Sequence, residues 1–273
     1  MRNIKKGKAM KIGKLVLAAA VAAALSGFGD TQTAEAAKPF RVMSYNIHHG
    51  AGMDGVLDLH RIAGVVKKAK PRFVGLQEID QMTARVDCTN TCALIAKDCG
   101  MHYAFARAMT YRGGEYGVAV LSEEAPLSIR QYPLPGREPR VLLLCEFTNC
   151  WVGTMHLDLV EERRLESVPI VRRAVAACGD KPVFLTGDWN AHPNSPVLRG
   201  LKEFSAVLTP EDRDTMQVDD GKDASGKRKH LCIDYITVDA AHRGGFEVVR
   251  SGVVQERVAS DHKPMVAEIR ARR

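Results

Sequence analysis

The sequence has 273 residues, 45% of them hydrophobic and 26% charged, with a formal net charge of +7. That is enough chain to bury a sizeable core, and too apolar a composition for an intrinsically disordered one. Residues 1–36 hold six basic and two acidic residues, a net +4, so residues 37–273 carry only +7 less +4, or +3. Charge therefore lends nucleic acid little support as a partner, though it leaves that partner possible.

The first 36 residues read as an export signal. Six basic residues from Arg2 to Lys14 precede the apolar run LVLAAAVAAALSGFG, and Ala34 and Ala36 form an Ala-x-Ala cleavage site. The run falls short of the ~18 apolar residues of a membrane span. The expected product is exported, periplasmic or secreted, with no stable membrane insertion after cleavage. Residues 37–273 are expected to form one layered α/β domain.

Strands and helices then alternate without a clear linker. FRVMSYNI is a short apolar run of the kind that forms a buried strand. LDLHRIAGVVKKAK places Leu59, Ile62, Val65, Val66 and Ala69 on one helical face, with Asp58 as N-cap and Pro71 as stop. RFVGLQEID predicts the next strand and NTCALIAKDCG a short helix closed by Gly100. MHYAFARAM, GVAVLS, LSIRQYPL, RVLLLCEF and CWVGTMHLD are strand-like. ERRLESVPIVRRAVAAC is helical, with Pro169 expected to kink it or break it in two. KPVFLTGD is a strand, residues 209–230 are a polar surface loop serving as spacer or substrate loop, and LCIDYITV, FEVVRSGVV and PMVAEIRA close the chain as strands. This pattern predicts a two-layered β core clothed in helices. Seven cysteines lie between Cys88 and Cys232. In an oxidising compartment some can pair, Cys145 and Cys150 bracketing a hairpin among them, whereas CxxxC alone lacks the second ligand pair of a zinc site.

Polar residues collect at the strand ends: Asn46, Glu78, His156, Asp158, Asp188, Asn190, Asp234, Asp261 and His262. Each alone has an ordinary structural reading, but so many in one α/β chain point to a site where strand ends converge. The words YNI, LQEID, YGVAVLS, MHLD, GDWN, IDYI and SDHKP, in this order, resemble the metal-dependent endonuclease/exonuclease/phosphatase family of nucleases, sphingomyelinases and phosphatases. The resemblance runs from about residue 40 to 269.

It implies a four-layer α/β sandwich, two packed mixed β-sheets flanked by helices, and a secreted Mg²⁺-dependent phosphoesterase, with Mn²⁺ or another divalent cation as substitutes. In that reading Glu78, helped by Asn46, offers hard oxygen ligands. Asp188 orients or deprotonates the attacking water. Asn190 and His156 donate to the phosphate, and His262 faces it with Asp234 behind. Asp261 reaches the metal or a second metal site. Arg107, Tyr116, Arg137 and Arg140 face the substrate, His48 and His49 sit nearby, Gly187 allows a turn and Trp189 packs in the core. One departure is that Leu231, Cys232 and Ile233 stand where family members often carry Arg. An extracellular nuclease and a non-catalytic binding module on the same scaffold stay open as alternatives.

Overall fold

A computed structural model describes residues 38–217 and 231–272. The expected signal at 1–36 and residues 218–230 of the polar loop lie outside the described residues.

The described strands are β1 (Phe40–Asn46), β2 (Phe73–Gln81), β3 (His102–Tyr111), β4 (Gly114–Ser122), β5 (Ser128–Leu134), β6 (Arg140–Glu146), β7 (Trp151–His156), β8 (Val183–Asp188), β9 (Ser205–Val207), β10 (Asp234–Asp239), β11 (Phe246–Val253) and β12 (Met265–Ala271). They form two six-stranded sheets, ordered β11-β12-β1-β2-β4-β3 and β5-β6-β7-β8-β10-β9. Both are mixed: β1 runs parallel to β2 and β7 to β8, while the other pairs are antiparallel.

Alternation along the strands sends residues to two cores. In β1, Val42 joins Phe73, Leu143, Phe184 and Ile236 between the sheets, while Met43 and Tyr45 face outward. The outward face of the first sheet packs on helices α1 (Leu59–Ala69) and α2 (Thr91–Cys99) through Ile62 and Ile95. The second sheet is covered by α3 (Glu161–Ala176) and α4 (Pro196–Lys202) through Val171 and Leu198. The four-layer sandwich is the architecture observed. Among the described residues no helix is long and apolar enough to cross a membrane.

Asp58 caps α1 as read, accepting from Arg61 N at 2.9 Å. Pro169 does not break α3, which is continuous from Glu161 to Ala176. Pro169 and Leu165, whose carbonyl loses its partner, are both exposed, so water can serve that carbonyl. All seven cysteines are free. Cys145 stands opposite Val152 in the β6–β7 ladder, whereas Cys150 closes a turn on Phe147, two positions off register.

The two sheets approach each other closely at Gly75 of β2. A Cβ there would lie 1.8 Å from Thr186 Oγ1 and 2.7 Å from Thr154 Oγ1. Gly75→Ala is therefore expected to destabilise the protein by about 1–3 kcal/mol, the range for overpacking. Urea unfolding measures this, and an unchanged midpoint would contradict the close approach.

Candidate functional site

The parallel pairs bring four chemically active ends to one edge of the sandwich, the position at which α/β sheets place ligands. Asn46 ends β1, Glu78 lies near the end of β2, and His156 and Asp188 end β7 and β8 directly opposite each other. Asp234 opens β10 opposite Asp188. Glu78 owes its position to a bulge. Leu76 and Ile79 both face the outer core although three residues apart, because Glu78 takes φ +57° and the register with β4 shifts between them. A non-glycine residue in that conformation is strained, a condition concentrated at functional sites.

Asp188 is the hub. Its Oδ2 accepts from the Asn46 amide at 3.1 Å and lies 3.4 Å from His156 Nε2 and 3.6 Å from His262 Nε2. Its Oδ1 accepts from Asn190 N at 2.9 Å. Asn190 takes φ +47° and donates its amide to Leu157 O at 2.9 Å, with Nδ2 3.1 Å from His156 Nε2. Gly187 lies within β8 rather than in the expected turn, and close approach is what requires glycine there, since a Cβ would sit 2.3 Å from Met155 O. Trp189 is wholly buried, as read.

Behind this hub His262 Nδ1 holds Asp234 Oδ2 at 2.9 Å. Ser260 fixes the segment, donating to Asn46 O at 2.8 Å and accepting from His262 N. Burial alone would lower the His262 pKa, but Asp234 and then Asp188 outweigh it and hold the imidazole up at about 10. Burial and then Asp234 push Asp188 up to about 7, against the pull of His262, Asn190 N and the Asn46 amide. His156 is held well below its ordinary value by burial, then Arg140, then His262.

Asp188, Asp234 and His262 offer ligand atoms within 4.8 Å of one another. Asp234 and Asp188 favour the protonated His262 ring, and that proton competes with a metal for the ring's lone pair. Asn46, expected as a ligand, turns its nitrogen rather than its oxygen to the site: Nδ2 donates to Glu78 Oε1 at 3.0 Å and to Asp188, while Oδ1 accepts from His48 N. Hard oxygens suited to a divalent cation come from Glu78 and Asp261, both half-buried on the cleft wall. That donor set fits a Mg²⁺-like ion.

The cleft holds about 320 Å³. His156, Asp188, Asn190, Asp261 and His262 line it together with Glu78 and Tyr116, so these expected site residues are brought together. Two expectations are corrected. Arg107 does not line the cleft: it sits on the exposed face of β3, paired with Glu115 at 3.1 Å. Arg137 is exposed outside it, and only its backbone N–H is engaged, by Asp158 Oδ2 at 3.0 Å. Asp158 also accepts from Val160 N, which makes it a turn-forming residue.

Arg140 does line the cleft, buried against His156. So does Arg85, which the sequence reading missed; it is held by Asp80 through two bonds and lies over the Tyr111 ring. His48 Nδ1 is 4.0 Å from Asp261 Oδ1, and its backbone N–H bonds Asn46 Oδ1. The polar loop contributes too: Met216 lines the cleft and bridges His262, while Gln217 N bonds Asp261 O.

A family model described as the Endonuclease/Exonuclease/phosphatase family matches residues 43–262. A search of curated proteins found no match. Among solved structures, an endonuclease/exonuclease/phosphatase from Beutenbergia cavernae DSM 12333 is 23% identical with a TM-score of 0.68, over 86% of this chain and 72% of that one. The mannosyl-6-phosphatase of Bacteroides thetaiotaomicron VPI-5482 is 18% identical with a TM-score of 0.68, over 84% of this chain and 99% of its own. The human Nocturnin catalytic domain, solved with a bound sulfate anion, is 16% identical with a TM-score of 0.59, over 85% and 94%. At these identities the likeness is one of fold.

Proposed function

Because the chain belongs to the endonuclease/exonuclease/phosphatase family, we propose that it is an exported, Mg²⁺-dependent hydrolase of small phosphate esters. Members of that family are hydrolases of phosphoester bonds, and the finer reading rests on the site. The observation that carries it is the convergence of N–H donors from Asn46, Asn190, His156 and His262 around one buried carboxylate, Asp188, beside the oxygen donors of Glu78 and Asp261.

In this reading Asp188 orients the attacking water and takes its proton, because it is the acceptor at the centre of the donors. The Nε2–H of cationic His262, the Nε2–H of His156 and the Asn190 amide hold the phosphoryl oxygens, where fixed donors act with no reorganisation. Asp234 keeps His262 in place and charged. Glu78, steadied by the Asn46 amide and with Asp261 adjacent, would hold the cation. When bound, a divalent cation supplies Lewis-acid polarisation and charge neutralisation.

Two features support a small ester over a polymer. The cleft volume of about 320 Å³ is of small-ligand size. Carboxylates also outnumber free cations on its wall, since Arg85 is spent on Asp80 and Arg140 on Glu138. The test is a panel of a sugar phosphomonoester, a small phosphodiester, sphingomyelin and plasmid DNA, each with Mg²⁺ and with EDTA, using protein recovered from exporting cells. Metal-dependent turnover of a small ester, by a chain whose mass begins at Ala37, is expected. Faster cleavage of DNA would replace this reading with the nuclease one, and a folded protein inert on every ester would overturn it. A recovered chain that still carries residues 1–36 would overturn export alone.

A further inference from the structure

Buried Arg140, at the first position of β6, makes two approaches. Its Nη2 lies 2.8 Å from Glu138 Oε2 and its Nη1 lies 3.1 Å from His156 Nδ1. A guanidinium is always protonated and has no acceptor, so any ring nitrogen facing it must present a lone pair.

His156 has a second polar neighbour on its other nitrogen. Nε2 is 3.1 Å from the Asn190 amide nitrogen and 3.4 Å from Asp188 Oδ2. The Asn190 nitrogen already bonds Leu157 O, which fixes that atom as the NH₂ end of the amide. Both outer contacts of the imidazole are therefore with donors, and a neutral ring can oblige only one. Placing the proton on Nδ1 would press an N–H against a cationic guanidinium in a buried site. Placing it on Nε2 presses an N–H against a neutral amide and leaves it pointing toward Asp188 Oδ2. The first arrangement is the costlier.

We propose that Arg140 is a positioning residue that locks His156 in the neutral Nε2–H tautomer, so that His156 acts as a fixed donor and never as a general acid or base. The groups facing the ring agree. Arg140 from β6 opposes a further positive charge on the ring, while Asp188 from β8 lies on the Nε2 side alone. Glu138 is turned to Arg140. The Nε2–H and the Asn190 amide, 3.1 Å apart, form a two-donor fork beside Asp188. This role for His156 on a phosphoryl oxygen rests on the proposed function, whereas the tautomer itself does not.

The decisive measurement is the pair of ring ¹⁵N shifts of His156 in uniformly labelled protein, assigned by their loss in His156→Gln. They are expected to show an unprotonated Nδ1 and a protonated Nε2, unchanged from about pH 5.5 to 8.5, a window around the ordinary histidine pKa. In Arg140→Met, which removes the donor, the two ring shifts should converge toward those of a mixture of neutral tautomers. Its kcat/KM should fall roughly 10-fold, the scale of one lost hydrogen bond. Arg140→Lys, which still donates, should restore both the single tautomer and the rate.

A wild-type ring protonated at Nδ1, or one titrating in this window, overturns the proposal. So does an Arg140→Met ring that keeps the single Nε2–H tautomer, the mark of a merely structural role. If Arg140→Met does not fold, the wild-type shifts decide alone. If no phosphoester is turned over, the shifts still decide the tautomer, and only the proposed function fails.

Discussion

Asp188→Asn is expected to lower kcat by about 10²–10⁴, the contribution of a positioned general base, while the protein stays folded. The substitution preserves shape, so its effect isolates the loss of an acceptor. The groups nearest the carboxylate oxygens are donors: the Asn46 amide, Asn190 N, His156 Nε2 and His262 Nε2. An amide there must turn its NH₂ toward at least one donor, which costs about 1–3 kcal/mol for a buried unsatisfied contact. The thermal midpoint should therefore fall modestly while activity collapses. The pH dependence follows the same residue. A base must be deprotonated to act, so the rate should fall as pH drops below the Asp188 pKa of about 7. A cation on Glu78 would favour the carboxylate and move that midpoint lower, so the acid limb belongs at or below about pH 7. Steady-state kinetics across pH with both proteins decides. A variant within tenfold of the wild type would remove Asp188 from the chemistry.

Strand identity and the polar strand ends could be read in the sequence because both depend on local pattern. FRVMSYN alternates between the two cores, and GDWN ends an apolar run with the residues that meet at the hub. The helix α4 also carried a local cue, Ser195 as N-cap with Pro196 next, and was overlooked. The arginines show the limit. Nothing within LPGREPR separates Arg137 from Arg140, since the difference comes from how β6 pairs with β7 and carries Arg140 alongside His156. Arg107 faces solvent beyond a shift in the β3–β4 register, and Arg85 reaches the cleft only through its grip on buried Asp80. The strained conformation of Glu78 is equally non-local: LQEID reads as an unbroken strand, and only pairing with β4 requires a bulge there. Pro169 misled because its consequence depends on which face of α3 meets water.

Removing divalent metal is expected to reduce turnover by about 10²–10⁴, corresponding to the several kcal/mol a Lewis acid supplies to a phosphoryl transition state. The cleft's own charges make the protein dependent on that contribution. Glu78, Glu138, Asp188 and Asp261 line it against Arg85, Arg140 and His262, and all three cations are already engaged by carboxylates. A phosphate anion entering alone would meet net repulsion. Glu78→Gln removes one hard anionic oxygen while keeping side-chain length, so it should raise the Mg²⁺ concentration needed for half-maximal rate and lower the rate at saturation. It should also abolish the rise in thermal midpoint that Mg²⁺ gives the wild type, because a ligand bound only to the folded state stabilises it by mass action. Asp261→Asn separates the one-cation and two-cation arrangements. If Asp261 serves a second ion, its variant should lose one of two binding events in calorimetry. If it only supports the first, a single event should persist at weaker affinity. Full turnover after exhaustive chelation would dismiss the metal and leave the His262–Asp234 pair and the two-donor fork to carry phosphoryl stabilisation unaided.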